Sequence, residues 1–240
     1  MMEKAAVRHA VLLAAGRGTR LQPYTDTTPK PLLAHKGRPT LDYILDSLLS
    51  AGVGDIVLVA HHLSEQIEQY ATIRTASHRQ RVRVTYQPTL AGTAHALECV
   101  IDQYPDMIAQ DFVVSATDYL VPRTFFPDLL ACHASHDAQL TVSMKSLDES
   151  ELSTRSSIRF VDEERIIEIV EKPEPGKAPS TIGANLTFVL PPSIAPYIGE
   201  VPLSTRGERE VQYAINQWIR QGGSANGLLQ VTPPEWQKPE

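Results

Sequence analysis

Residues 7–14 form a largely apolar run that ends at a glycine loop, as a strand buried on both faces of a parallel sheet does. Leu41, Ile44, Leu45, Leu48 and Leu49 then recur at helical spacing, with Thr40 placed to cap that helix and Gly52 to end it. Residues 56–60 read as a second buried strand, and Ser64 is placed to cap a helix running to Tyr70. Val82 and Val84 fall in a third strand, residues 93–101 in a helix, 112–116 in a fourth strand, 128–135 in a helix and 140–144 in a fifth strand. Strand and helix alternating in this way imply right-handed crossovers and a mostly parallel sheet.

The pattern changes in the second half. Residues 158–160 and 166–170 flank a charged turn and predict a hairpin. Residues 186–190 read as another strand, followed by a proline-rich turn, and 208–220 as a helix closed by Gly222 and Gly223. This half reads as an antiparallel insertion covering one end of the sheet. The expected fold is one α/β domain over residues 1–240. It has a Rossmann-like, mostly parallel sheet, helices on both faces and a small antiparallel insertion in the second half. Ligands in such open sheets bind at the carboxyl ends of the strands, where the strand order reverses. The last ten residues, rich in proline and glutamate, are expected to be loosely ordered.

Composition narrows the partners. A 42% hydrophobic and 21% charged chain of 240 residues is globular. A net charge of −6 argues against nucleic acid or an acidic membrane as partner, so an anionic ligand must be held by local cations. No apolar run approaches the roughly 20 residues that span a bilayer, and the charged start is too short for a signal peptide, so a cytoplasmic protein is expected. Cys99 and Cys132 form no Cys-x-x-Cys pair and read as buried reduced thiols. His61 and His62 are expected to face opposite sides of a strand end. His133 and His136 share a helical face beside Cys132, but no further ligands stand at zinc spacing, so a solvated face is expected.

The chemistry concentrates in the first loop, Leu13-Ala14-Ala15-Gly16-Arg17-Gly18-Thr19-Arg20-Leu21, followed by Pro29-Lys30-Pro31. Small residues let backbone N–H groups approach phosphate oxygens, and Arg17, Arg20 and Lys30 supply positive charge. A Walker loop is excluded because no lysine follows Gly18. The dinucleotide fingerprint is excluded because Leu21 stands where its third glycine belongs, and a proline-rich loop rather than a helix comes next.

This run resembles the signature of the sugar-1-phosphate nucleotidylyltransferases, the NDP-sugar pyrophosphorylases. The resemblance extends over about residues 9–223 and carries several further motifs in the family's order. It implies that a nucleoside triphosphate and a sugar 1-phosphate are the partners. The nucleotide half would lie over about residues 9–150 and the acceptor half over about 151–230. The loop from Leu13 to Thr19 would wrap the nucleotide phosphates, while Arg20 and Lys30 would neutralise the α-phosphate and the departing pyrophosphate. Gln87, in Gln-Pro-Thr-Leu-Ala-Gly-Thr-Ala, stands where uridylyl- and thymidylyl-transferring members read the base, with Gly92 and Thr93 packed beside it. His95, in the same run, is expected to be structural.

Asp118 follows the fourth strand and would hold Mg²⁺ against the phosphates, although the family's Gly-Asp is here Thr117-Asp118. Glu171-Lys172-Pro173 resembles the family's Glu-Lys-Pro, so Lys172 would bind the acceptor phosphate and Glu171 its hydroxyls. Asn185 and Glu208 are further acceptor candidates, Glu208 being also a favourable acid for a helix N-terminus. A second metal carboxylate in an Asp-x-Gly-Thr-like segment late in the chain is not found, and Glu235 is a poor substitute. There is no acyltransferase-like repeat, so a single activity is expected. No Ser-His-Asp or Cys-His set is required, because a phosphate monoester with a second pKa of about 6 is already a nucleophile at neutral pH. Two other readings stay open: a cytidylyltransferase for phosphocholine or a phosphonate, and a non-catalytic nucleotide-binding regulatory subunit. A homo-oligomer through the late helix and hairpin is a further expectation.

Overall fold

The structure, a computed structural model, describes residues 6–230 apart from residues 137 and 163. The elements in chain order are β1 (His9–Leu13), α1 (Tyr24–Thr27), β2 (Ala34–His35), β3 (Arg38–Pro39), α2 (Thr40–Ser50), β4 (Asp55–Ala60) and α3 (Ser64–Ser77). There follow β5 (Arg81–Tyr86), α4 (Thr93–Gln103), β6 (Phe112–Ala116), α5 (Phe125–Ser135), β7 (Leu140–Ser146), β8 (Ser157–Phe160) and β9 (Ile166–Val170). The chain continues with β10 (Ile182–Leu190), α6 (Ala195–Gly199), α7 (Val211–Arg220) and β11 (Ala225–Leu229).

Nine strands form one sheet in the order β5-β4-β1-β6-β10-β7-β11-β9-β8. β1 pairs in parallel with β4 on one side and β6 on the other, His9 lying opposite both Asp55 and Phe112. The chain therefore builds outward from β1 through β4 to β5, then crosses over to start β6 on the opposite side. The carboxyl ends of β1 and β6 flank this reversal, which is where a crevice opens in such sheets.

Every central strand feeds two cores. Val11, Val57, Val114 and Phe188 face one layer, where α4, α6 and α7 pack with Leu97, Ile198, Ile215 and Trp218. Ala10, Leu12, Ile56, Leu58 and Val189 face the other, against Leu41, Ile44, Leu45, Ile67 and Phe126 of α2, α3 and α5. This explains the near-continuous apolar runs: with helices on both faces, neither set of alternating side chains meets water. Phe112, Phe126 and Phe188 are each fully buried, worth about 1.5–3 kcal/mol apiece.

The second half does more than cover one end. β10 enters the middle of the sheet, antiparallel to both β6 and β7, and β11 runs parallel to β7. The β8–β9 hairpin forms the far edge. The sequence pattern misses β11, because Asn226 and Gly227 interrupt its apolar alternation. It also starts the last helix three residues early. Residues 208–210 are loop because the Arg209 backbone is used across the fold: its amide donates to Ala91 O and its carbonyl accepts from Ala94 N.

Two polar expectations are corrected here. His133 is 2% exposed rather than solvated, with Nδ1 at 2.9 Å from Thr141 Oγ1 and Nε2 at 3.2 Å from Asp111 Oδ2. Cys99 and Cys132 are only half-buried. His61 and His62 do diverge, reaching Gln87 O and Thr25 O respectively. No helix among the described residues is long and apolar enough to cross a membrane. The last ten residues, Glu235 included, lie outside the described residues.

Candidate active site

A cleft of about 590 Å³ opens at the carboxyl ends of β1 and β6. Its walls include Leu13, Ala14, Ala15, Gly16, Gly18, Thr19 and Arg20 from the first loop, with Lys30 and Asp118. Gln87, Gly92, Thr93 and Glu208 line it as well. Residues from five separate stretches thus converge on one space.

The loop's path is set by backbone geometry. Ala14 N donates to Val59 O at 2.9 Å, which keeps the chain on the sheet for one more residue, and Thr117 Oγ1 donates to Leu13 O at 3.0 Å. Gly18 then turns with φ +64°, and a Cβ there would stand 2.8 Å from Thr25 Cγ2. Thr25 Oγ1 donates to Gly18 O at 3.0 Å and holds the turn from outside. Within the described residues the amides of residues 15–18 make no hydrogen bond, so they stand ready for an anion. Arg20 lines the cleft without an ion-pair partner among the described residues. Arg17 is exposed and does not line it.

Lys30 Nζ donates to Asp118 Oδ2 at 2.8 Å, with side-chain exposures of 18% and 28%. This couples a cation from the loop to an anion from the end of β6. Among the described residues no group of three or more His, Cys, Asp or Glu could hold a metal. Asp118 offers one hard oxygen donor, which fits Mg²⁺ because that ion is commonly held by one or two carboxylates together with substrate phosphates and water.

The opposite wall is held as firmly. Gly92 has φ +100°, and a Cβ there would stand 2.4 Å from Arg209 O and 2.6 Å from Arg209 N. Only glycine lets this turn close against that backbone. Thr93 Oγ1 accepts from Val211 N at 2.9 Å, tying the start of α4 to the start of α7. Arg209 also pairs with Glu98 through the same junction. Gln87 is 3% exposed and donates through Nε2 to Gly92 O at 3.0 Å.

Of the other predicted residues, Glu208 lines the cleft, whereas Glu171, Lys172 and Asn185 do not. Glu171 Oε2 accepts from Ser156 Oγ and, at 3.0 Å, from Gln212 Nε2. Lys172 Nζ and an Arg206 nitrogen each lie 3.9 Å from Glu171 Oε1, and Arg206 also pairs with Glu210. Arg206 carries a raised pKa: its burial opposes charge, but the Glu210 hydrogen bond and the Glu171 and Glu208 charges prevail. Asn185 is 3% exposed and spends its Nδ2 on Ser143 Oγ at 3.0 Å. Glu208 sits in the loop before α7 rather than on the helix, with its backbone O accepting from Ser204 N.

Sequence reasoning missed Leu90, Ala96 and Leu186, which supply apolar cleft surface. Leu90 left a signal, its place inside the run between Gln87 and Gly92, and the structure leaves it 40% exposed. Leu186 left none, since its strand position suits a core residue equally well.

The family model for nucleotidyl transferase matches residues 9–231. The UTP--glucose-1-phosphate uridylyltransferase AglF of Haloferax volcanii is 30% identical over 221 residues, covering 91% of this chain and 86% of that protein. The UTP--glucose-1-phosphate uridylyltransferase of Bacillus subtilis is 26% identical, over 88% of this chain and 80% of that protein. A crystal structure of UDP-glucose pyrophosphorylase complexed with UDP-glucose shares the fold, with a TM-score of 0.80 and 20% identity over 93% of this chain and 91% of that one.

Proposed function

The chain belongs to the nucleotidyl transferase family, and on that premise we propose that it joins a nucleoside triphosphate to a sugar 1-phosphate, releasing pyrophosphate and an NDP-sugar. UTP or dTTP is the proposed donor, from the place of Gln87 in the cleft wall. The observation that carries this reading is the convergence on one cleft of unpaired loop amides, Arg20, the Lys30–Asp118 pair and Gln87.

The acceptor phosphate is largely dianionic at neutral pH and attacks the α-phosphorus in line, breaking the bond to the departing pyrophosphate. The chain's task is therefore to position two anions and offset their charge. The loop amides and Arg20 bind the triphosphate. Asp118 would hold Mg²⁺, and that ion would supply further neutralisation of charge. Lys30 leaves its pairing with Asp118 for the α-phosphate as substrate enters. Gly92 and Thr93 shape the base pocket. Lys172 takes the acceptor phosphate, while Glu171, Asn185 and Glu208 accept or complete hydrogen bonds from its hydroxyls.

The surroundings of Glu171 favour a sugar over phosphocholine. Lys172 and Arg206 lie beside it, and two cations disfavour a quaternary ammonium, which seeks aromatic faces. The test is pyrophosphate release with Mg²⁺, five triphosphates and a panel of sugar 1-phosphates, phosphocholine and 2-aminoethylphosphonate. Release confined to UTP or dTTP with a sugar 1-phosphate supports the reading. Turnover only with phosphocholine or the phosphonate would replace the acceptor, and silence from a chain that binds UTP would move the weight to an unusual acceptor or to the regulatory reading.

A further inference from the structure

The way Gln87 is held points to a residue that governs base choice, an inference that rests on the nucleotide reading above. The Gly92 carbonyl can only accept, so the amide nitrogen of Gln87, not its oxygen, must stand 3.0 Å from it. The same Nε2 lies 3.2 Å from His95 Nδ1. Both amide hydrogens are then used. Oε1 has no partner among the described residues and is not sealed from solvent, on a residue that lines the cleft.

His95 Nδ1 faces two neighbours with opposite demands. Thr89 O, at 3.1 Å, would require Nδ1 to carry a hydrogen, whereas Gln87 Nε2 requires a lone pair there. One ring nitrogen cannot serve both. The surroundings favour one outcome. Thr89 is exposed and its carbonyl already accepts from Ala91 N at 2.8 Å, whereas Gln87 is 3% exposed and an Nδ1–H would set donor against donor at its second amide hydrogen. Nε2 lies 3.9 Å from Cys99 Sγ, and a thiol can take either side of that weak contact.

We propose that His95 is a positioning residue: in its Nε2–H form it accepts from Gln87, locks the carboxamide with Oε1 toward the cleft, and makes the site select a base edge that offers an N–H. Uracil and thymine present an imide N–H. Cytosine presents a ring-nitrogen lone pair at the same position, which sets acceptor against acceptor. The bond to Gly92 alone leaves the carboxamide one anchor; His95 supplies the second, and with it the direction of the oxygen.

The test compares Kd values for UTP, CTP and glucose 1-phosphate, with Mg²⁺, on the full chain and on His95→Phe and His95→Asn. UTP is expected to bind better than CTP, with that ratio falling about fivefold to tenfold in His95→Phe. His95→Asn can place Oδ1 near the position of Nδ1 and is expected to restore most of the ratio, with glucose 1-phosphate affinity unchanged throughout. An unchanged ratio in His95→Phe overturns the proposal, and so does a parallel loss of all three affinities in both variants. Should the variants not fold, the ring ¹⁵N spectrum of His95 in the unaltered chain decides: an Nε2–H tautomer supports the proposal and an Nδ1–H tautomer overturns it. A base ratio that responds to His95 in a chain without turnover would sink the catalytic reading and leave this one standing.

Discussion

On the proposed function, the loop-lined wall of the cleft and the groups around Glu171 would meet the same task, holding an anionic substrate, in opposite ways. The first keeps donors in reserve: the amides of residues 15–18 and Arg20 have no partners among the described residues, and Lys30 has only Asp118. The second has its polar groups engaged with one another. Glu171 is held by Ser156 and Gln212 and flanked by Lys172 and Arg206, while Asn185 is tied to Ser143. Triphosphate brings several charges that need new partners, so unsatisfied donors suit it. Sugar hydroxyls need acceptors fixed in direction, so a carboxylate braced by neighbours suits them.

Substitutions can break or sharpen this contrast. Asp118→Asn is expected to lower turnover on the order of a hundredfold or more, with an unchanged melting temperature; near-normal turnover would remove Asp118 from the metal site. Gly92→Ala sets a Cβ against the Arg209 backbone at φ +100°, and denaturant unfolding should show a loss of about 2–4 kcal/mol. Gly176→Ala is the control from the second half: φ is +76° but nothing lies within 4 Å, so a loss of only about 1–2 kcal/mol is expected. Gln212→Leu takes one brace from Glu171 and should raise the acceptor KM roughly tenfold while leaving the UTP KM in place. Lys172→Ala should have the smallest effect, a rise of about threefold to tenfold in acceptor KM, because that side chain is 44% exposed. A larger effect on UTP than on acceptor would exchange the two subsites.

Much of this was legible in the chain. Most first-half strands and helices were readable because strands packed between two helical layers are apolar on both faces, and α2 and α4 each carry one apolar stripe; α3 runs on past Tyr70 to Ser77, where its buried face continues through Arg74 rather than an apolar residue. The glycine loop was readable because small residues, arginines and a Pro-Lys-Pro in one stretch have few structural reasons to occur together. The burial of His133 was not, because a helical pattern shows which residues share a face but not that Asp111 and Thr141 wait opposite this one.

The sequence by itself determined the layered α/β class, the glycine loop and the residue types the proposed chemistry needs, since these depend on local periodicity and neighbouring residues. Only the tertiary structure decided that β10 enters the sheet's centre and that residues 208–210 leave the helix to clasp Gly92. It alone decided that Gln87 turns its nitrogen toward Gly92 and His95. Those outcomes depend on which distant backbone groups find partners, and hydrogen-bond satisfaction across a fold leaves no periodic trace along the chain.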